Sequence, residues 1–169
     1  MSETPEKIFG KQEVYEKLRE MGIPFETVEH EPAVTVELAD RFIEGKEGVR
    51  SKTMFLCDRK KRRFYLFVTD EFKRLDMKAV GDLIGEKGLR MGNDEGLWDK
   101  LRLAPGIVSI FGLLNNKEKD VKVYVDREIA GEETITFHPN ENTATLFFSM
   151  EDMFRFLTEI GASWEVIDL

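Results

Sequence analysis

The spacing of apolar and polar residues along the chain follows two periods, and each period predicts one kind of element. Apolar residues recur three or four positions apart in residues 11–21 and 35–43, which predicts two amphipathic helices. The same spacing follows Asp76 and Asp94, whose carboxylates are typical helix N-caps. A last helix is predicted after Ser149, where Ser-Met-Glu-Asp has the form of a capping box.

Short apolar runs separate these helices and predict strands. The predicted strands are residues 25–30, 54–58, 63–69, 107–114, 121–129, 135–137, 143–148 and 164–167. A basic turn joins 54–58 to 63–69, so these two runs are expected to form a hairpin. Because the chain contains no repeat, linker or internal boundary, we expect a single α+β domain over residues 1–169. We expect its sheet to be mixed and largely antiparallel, with the helices packed around it.

The composition is that of an ordinary globular domain. The chain has 169 residues, of which 41% are hydrophobic and 34% charged, and no apolar run is long enough to span a membrane. Residues 1–7 lack the basic and apolar regions of a signal peptide. The single cysteine, Cys57, lies in an apolar run, which indicates a buried thiol in a reducing compartment. We therefore expect a cytoplasmic protein with no membrane partner.

The charge is unevenly distributed. A formal net charge of −8 argues against a protein that coats long nucleic acid through charge alone. The cations are nonetheless concentrated between residues 46 and 78, whereas the acid excess lies in the N-terminal helix and the C-terminal third. A basic face on an acidic protein suits a short or terminal piece of nucleic acid. For the cations at 59–63, a solvated hairpin turn is the alternative interpretation.

Lys52 is the first candidate site residue, because it stands where a glycine- and charge-rich run enters the apolar run 52–57. A cation in that position is held close to the core and still reaches solvent, where it can bind a phosphate or polarise a carbonyl group. The alternative is a solvated strand end, or a charge that protects a sheet edge from pairing.

Pro105 and Gly106 are the second candidate, since a Pro-Gly pair makes a turn and glycine lets a ligand approach the main chain. With a predicted strand starting at residue 107, the amides of this turn can face an oxyanion. An ordinary connection between a helix and a strand explains the same residues. His30 and His138 each stand near a proline at a strand end, where imidazole can line a pocket or stabilise a turn.

The common catalytic signatures are absent from the sequence. It has no glycine-rich phosphate loop of the Walker or Rossmann type, no Gly-x-Ser-x-Gly and no His-Glu-x-x-His. It also has no Cys or His cluster with metal-ligand spacing, so we expect no metal and no cofactor. If the chain is an enzyme, we expect it to use water, a cation, main-chain amides and groups of the substrate.

Five segments in register carry a family pattern. They are HEPAVTVE at 30–37, SKTMFL at 51–56, RLDMK at 74–78, PGIVSIFGL at 105–113 and FHPNENT at 137–143. Taken together and in this order, they resemble the YbaK/ProX-type aminoacyl-tRNA editing family, and within it the free-standing prolyl-tRNA deacylases. The resemblance extends over residues 11–161, which is nearly the whole chain.

The resemblance implies the fold of the prolyl-tRNA synthetase editing domain and a hydrolase that acts on proline tRNA. Such an enzyme removes a wrongly attached amino acid, most often alanine, by attack of a positioned water without a metal or a covalent nucleophile. Lys52 and Gly106 match the positions assigned to catalysis, with the lysine holding the 3′-terminal adenosine phosphate or the aminoacyl carbonyl. The residues matched to substrate binding are His30, Thr53, Pro105, Ile107, Val108, Ser109 and His138.

Thr53 departs from the family pattern, in which asparagine often follows the lysine. A threonine keeps a hydroxyl group but lacks the two donors of the amide. The alternatives therefore include a deacylase for cysteinyl-tRNA or another small aminoacyl-tRNA, and a non-catalytic module that binds tRNA or a synthetase. The expected partner is the acceptor end of proline tRNA, with prolyl-tRNA synthetase as a second candidate.

Overall fold

A mixed sheet of eight strands forms the centre of the computed structural model, which describes residues 7–169. The strands are β1 (Glu26–Glu29), β2 (Val49–Cys57), β3 (Phe64–Asp70), β4 (Arg90–Met91), β5 (Val121–Asp126), β6 (Thr134–Phe137), β7 (Ala144–Ser149) and β8 (Ser163–Ile167). The helices are α1 (Lys11–Glu20), α2 (Val36–Phe42), α3 (Met77–Ile84), α4 (Asp94–Leu101), α5 (Arg127–Ala130) and α6 (Met150–Glu159). Residues 1–6 lie outside the described residues. They make up most of the segment from which we expect no signal peptide.

The strand order is β1-β7-β6-β2-β3-β5-β8, with β4 paired to β2 beside this path. The pairs β1–β7, β6–β7, β2–β3 and β2–β4 are antiparallel. The pairs β2–β6, β3–β5 and β5–β8 are parallel. The expected α+β class and mixed sheet are therefore confirmed. Among the described residues, no helix is both long enough and apolar enough to cross a membrane.

Two apolar clusters cover the two faces of the β2–β3–β5 part of the sheet. The larger one joins the buried side of α1 to α6 through a group of phenylalanines, with the rings of Phe111 and Phe156 5.1 Å apart. The smaller one contains Leu56, Phe67 and Tyr124 under helix α3. Because side chains alternate between the faces of a strand, Phe55 belongs to the larger cluster and its neighbour Leu56 to the smaller.

Most of the predicted elements are present. The helix over 11–21, the helix over 35–43 and the hairpin of β2 and β3 are confirmed, with Thr35 and Asp76 accepting the N-cap hydrogen bonds of α2 and α3. Ser149 caps α6 by accepting from the Asp152 N–H. The cap of α4 was assigned to Asp94, but Asn93 holds it, accepting from the Gly96 N–H at 2.7 Å.

The predicted strand over 107–114 is wrong. Residues Ile110–Asn115 form a 3-10 helix instead, because the Ser109 hydroxyl accepts a hydrogen bond from the Phe111 N–H and turns the chain back on itself. A short apolar run that is buried on every side cannot be assigned to strand or helix by its periodicity. The predicted strand over 121–129 is too long, since Asp126 accepts from the Glu128 N–H and begins α5.

Ser109→Ala tests this explanation. The Ser109 side chain is fully buried and donates to Asn140 Oδ1 at 2.9 Å, so the alanine removes a helix cap and leaves a buried acceptor without its donor. We expect the free energy of unfolding, measured by urea denaturation, to fall by about 1–3 kcal/mol. The exposed cap Thr35→Ala is the matched control, for which a smaller loss is expected. Equal losses in the two variants would contradict the role assigned to Ser109.

Candidate active site

A break in the pairing of β2 opens a cavity in the sheet. One edge of β2 pairs with β3 from Ser51 to Cys57. The other edge pairs with β6 at Val49 and Arg50, and with β4 only at Leu56 and Cys57. Among the described strands, none lies along this edge between the two contacts. The sheet therefore has an opening beside residues 51–54.

The cavity of about 560 Å³ at this opening is lined from several parts of the chain. Its walls come from α2, from β2, from the turn after α4 and from the end of β6. Six of the nine predicted site residues line it, namely Lys52, Thr53, Pro105, Gly106, Val108 and His138. A mostly apolar cavity with a few converging polar groups is the usual form of a small-molecule site.

The sequence suggested that Lys52 stands where the chain enters a strand. In the structure Lys52 lies inside β2 instead. Its ammonium group donates a hydrogen bond to the main-chain carbonyl of Lys73. The Lys73 side chain forms ion pairs with Asp126 and Glu128, both at 2.7 Å, which fix the segment that receives Lys52. Burial lowers the pKa of Lys52, with Asp70 acting against it and Arg74 acting in the same direction. The result is a partly desolvated cation beside the cavity.

Thr53 has a buried hydroxyl and two main-chain polar groups at the opening. Its hydroxyl oxygen is buried and has no hydrogen-bond partner within residues 7–169. Its main-chain N–H and C=O point toward the opening, because the Phe55 carbonyl two residues later accepts from the Gly92 N–H on that same edge. Buried polar atoms are nearly always paired, so the Thr53 hydroxyl is an exception among the described residues.

Pro105 and Gly106 form the central pair of a turn from Ala104 to Ile107, whose N–H donates to the Ala104 carbonyl at 3.4 Å. Gly106 has φ +88°, a value that L-residues rarely adopt, and no atom lies within 4 Å of where a Cβ would stand. The glycine is thus required by the turn, and the turn leaves room beside it. Ile107 and Ser109 are not among the residues that line the cavity.

The two histidines occupy different places. His138 lines the cavity and its Nδ1–H donates to the Ala144 carbonyl at 3.0 Å. Burial lowers the pKa of His138, so the ring is neutral near pH 7 and its Nε2 is an acceptor. His30 does not line the cavity, and its Nδ1–H donates to the Glu31 carbonyl. Its Nε2 lies 3.0 Å from the hydroxyl of Thr145, and Thr145 lines the cavity.

Asn140 is a positioning residue that the sequence did not single out. It is buried, has φ +64°, accepts from the Ser109 hydroxyl and donates to the Phe9 carbonyl at 2.8 Å. These bonds join the loop after His138 to the loop after Gly106. The signal was present in the sequence, because an asparagine after His-Pro is a typical residue for a left-handed turn position.

Asp40 and Glu71 are two acids that line the cavity and that the sequence did not indicate. Asp40 comes from α2, and Glu71 follows β3, where its N–H donates to the Arg50 carbonyl at 2.8 Å. Burial, together with a hydrogen bond to Asp40 and the charges of Asp40 and Asp70, raises the pKa of Glu71 to about 8. Glu71 is therefore largely protonated at neutral pH, an effect that only the folded chain brings about.

This geometry occurs in a chain with clear relatives. The model of the aminoacyl-tRNA editing domain matches residues 30–156. The chain belongs to the aminoacyl-tRNA editing domain family. Within residues 30–156 lie all nine predicted site residues, so the resemblance stated from the sequence is confirmed, as is the expectation of an editing hydrolase.

Individual relatives agree with this assignment. The prolyl-tRNA editing protein ProX of Acetoanaerobium sticklandii is 35% identical over 95% of this chain and 98% of its own length. The prolyl-tRNA synthetase associated domain-containing protein 1 of Danio rerio is 32% identical over 88% of this chain and 82% of its own length. A crystal structure named as a candidate trans-editing enzyme for prolyl tRNA synthetase has a TM-score of 0.72 at 23% identity, covering 99% of this chain and 98% of that one. The expected fold is thereby confirmed.

Other expectations stay predictions. The extent of one domain over residues 1–169, the roles of the site residues and the cytoplasmic location are untested. Within the described range 7–169, no three or more His, Cys, Asp or Glu side chains are grouped as metal ligands.

The raised pKa of Glu71 predicts a pH dependence of stability. The folded chain holds the proton that the unfolded chain releases near pH 4.5, so this contribution to stability is present at low pH and is lost as the pH rises toward 8. We expect the free energy of unfolding, measured by urea denaturation at several pH values, to decrease more steeply between pH 5 and about 8 in the unaltered chain than in Glu71→Gln. Parallel curves for the two proteins would show that Glu71 titrates normally.

Proposed function

We propose that this chain hydrolyses the aminoacyl ester of a mischarged proline tRNA, with alanyl-tRNA(Pro) as the main substrate. The observation that carries the proposal is the opening beside β2, where Lys52, Thr53 and the turn at Gly106 line one cavity in a chain of the editing family. The name of the ProX relative, a prolyl-tRNA editing protein, supports proline tRNA as the carrier of the substrate.

In the proposed mechanism, the terminal adenosine and its aminoacyl group enter the opening. Lys52 holds the terminal phosphate or the aminoacyl carbonyl by its charge, which partial burial makes more effective than in water. In the proposal, the Thr53 N–H donates a hydrogen bond to the oxyanion that forms when water attacks the ester carbon. Each such donor contributes on the order of 10²–10³ in rate, which suffices for an ester that is already activated.

The position of the Pro-Gly turn bears on selection of the amino acid. Pro105 and Gly106 are exposed at the rim of the cavity, and Val108 lines it behind them. In the proposal this wall excludes the larger proline ring by contact and accepts the smaller alanine side chain. Exclusion by contact is needed because favourable burial of one methylene discriminates by only about 1–3 kcal/mol. Cysteinyl-tRNA is the alternative substrate for the same cavity.

Deacylation assays with Lys52→Ala test the proposal. The substrates are alanyl-, cysteinyl- and prolyl-tRNA bearing the proline anticodon, and the matched control is Lys78→Ala, an exposed lysine outside the cavity. We expect the unaltered chain to hydrolyse the alanyl ester fastest, Lys52→Ala to be slower by about 10²-fold or more, and Lys78→Ala to be unchanged.

Two outcomes would contradict the proposal in different ways. Equal rates for Lys52→Ala and the unaltered chain would remove Lys52 from the mechanism. If none of the three substrates is hydrolysed while tRNA binding persists in a filter-binding assay, the chain is instead a non-catalytic binding module. That alternative rests on Thr53, which stands where the family pattern often has asparagine.

A further inference from the structure

A second cavity of about 390 Å³ adjoins the first. Phe55 and Gly92 line both cavities, so the two lie side by side along β2 with this pair of residues between them. We call the two cavities together, from Lys52 to the basic turn at Lys61, the trough. The rise along a strand is about 3.3 Å per residue, so the part of the trough between Lys52 and Cys57 is roughly 17 Å long.

Aromatic rings line the second cavity. The rings of Phe55 and Phe64 lie parallel, 5.8 Å apart and 7° from coplanar orientation. Trp98 stands beside them on α4 and is 51% exposed, although large aromatic side chains are usually buried. The Arg102 guanidinium lies 5.8 Å from the Trp98 ring centre. An exposed, positioned indole at the side of a cavity is a surface on which a flat ring can stack.

Cations border the far end of the trough. Residues 59–63 are all basic and all exposed, and Lys61 lines the second cavity. Arg62 and Arg63 form ion pairs with Asp58, and Arg63 also binds Glu86 at 2.6 Å, which anchors the turn. Neither Lys60 nor Lys61 forms an ion pair within residues 7–169. The opposite wall, on α4, carries Glu95 and Asp99.

We propose that the trough binds the unpaired 3′ end of the tRNA, with the terminal nucleotide in the first cavity and an upstream base stacked on Trp98. The phosphates on that stretch would then face Lys61 and its neighbours in the turn. This inference rests on the proposed function, because it takes the first cavity as the site of the aminoacyl ester.

Two features support a single strand over a duplex or a peptide as the occupant. Aromatic platforms next to a cationic groove are the usual means of binding single-stranded nucleic acid without base-edge contacts. A stacked strand advances about 3.4 Å per nucleotide, so roughly 17 Å accommodates about five nucleotides, the scale of an unpaired end.

A comparison of two substrates tests the trough separately from the chemistry. One is the full alanyl-tRNA(Pro), and the other is the alanyl ester of adenosine 5′-phosphate, which fills only the first cavity. We expect Trp98→Ala and Lys61→Gln to lower kcat/KM on the tRNA by about tenfold and a few-fold, respectively, and to leave the small ester unaffected. Trp98→Phe retains a ring and is expected to restore most of the activity, and Lys117→Gln is the matched control for an exposed lysine away from the trough.

The outcomes separate the two claims. If kcat/KM on the tRNA is unchanged in both Trp98→Ala and Lys61→Gln, the trough does not bind the 3′ end of the tRNA. An equal loss of kcat/KM on the small ester would contradict this binding as well. Failure of the unaltered chain to hydrolyse either substrate would instead overturn the proposed function.

Binding provides a readout that does not need turnover. The chain has two tryptophans, so Trp164→Phe leaves Trp98 as the sole indole fluorophore. We expect a short single-stranded RNA ending in CCA to quench Trp98 fluorescence in that variant, with a salt dependence that Lys61→Gln reduces by about 0.7 in the slope of log K against log salt. Absence of quenching at RNA concentrations that saturate binding would contradict stacking on Trp98.

Discussion

The interrupted hydrogen bonding along one edge of β2 is the constraint on which the rest of the site depends. β2 is held by β3 along one side and by β6 and β4 at the two ends of the other, so the strand stays rigid while residues 51–54 keep an open edge. In an ordinary sheet those main-chain groups would be paired with a neighbour. Here they face a cavity, and Lys52 and Thr53 reach it from a strand whose position is fixed on both sides. A site placed on a strand in this way is more precisely held than one on a loop.

The remaining walls are loops, and hydrogen bonds hold them in place. Asn140 links the loop that carries His138 to Ser109, and so to the segment behind Gly106. The ion pairs of Lys73 fix the carbonyl that receives the Lys52 ammonium. The Lys52 ammonium donates to this carbonyl, and burial lowers the pKa of the lysine. In the proposed mechanism Lys52 acts as an electrostatic anchor. This arrangement agrees with chemistry that positions a water and stabilises charge.

The sequence predicted well what depends on local patterns and poorly what depends on long-range pairing. Helix caps at Thr35, Asp76 and Ser149 were readable because capping involves residues two or three positions apart. The break in the pairing of β2 could not be predicted from the sequence. It results from where β6 and the two-residue β4 pair with β2, and no local pattern encodes those positions. The strand predicted over 107–114 failed for a different reason, since burial on all sides removes the polar alternation that separates strand from helix. The pairing of Asp40 with Glu71, like the break in β2, arises only on folding, when α2 packs beside the end of β3. Lys52, Gly106 and His138 were candidates from their local setting and from the family pattern, and the fold brings them to one cavity.

The most direct test of this site is a crystal structure with a stable analogue of the substrate, in which alanine is joined to the 3′ position of adenosine by an amide bond. We expect the analogue to occupy the opening between β6 and β4, with its carbonyl oxygen within hydrogen-bond distance of the Thr53 N–H. We also expect the Lys52 ammonium to contact the analogue's carbonyl or its 5′-phosphate. An analogue bound elsewhere on the protein, with the opening beside residues 51–54 left empty, would contradict the claim that this break in the sheet is the active site.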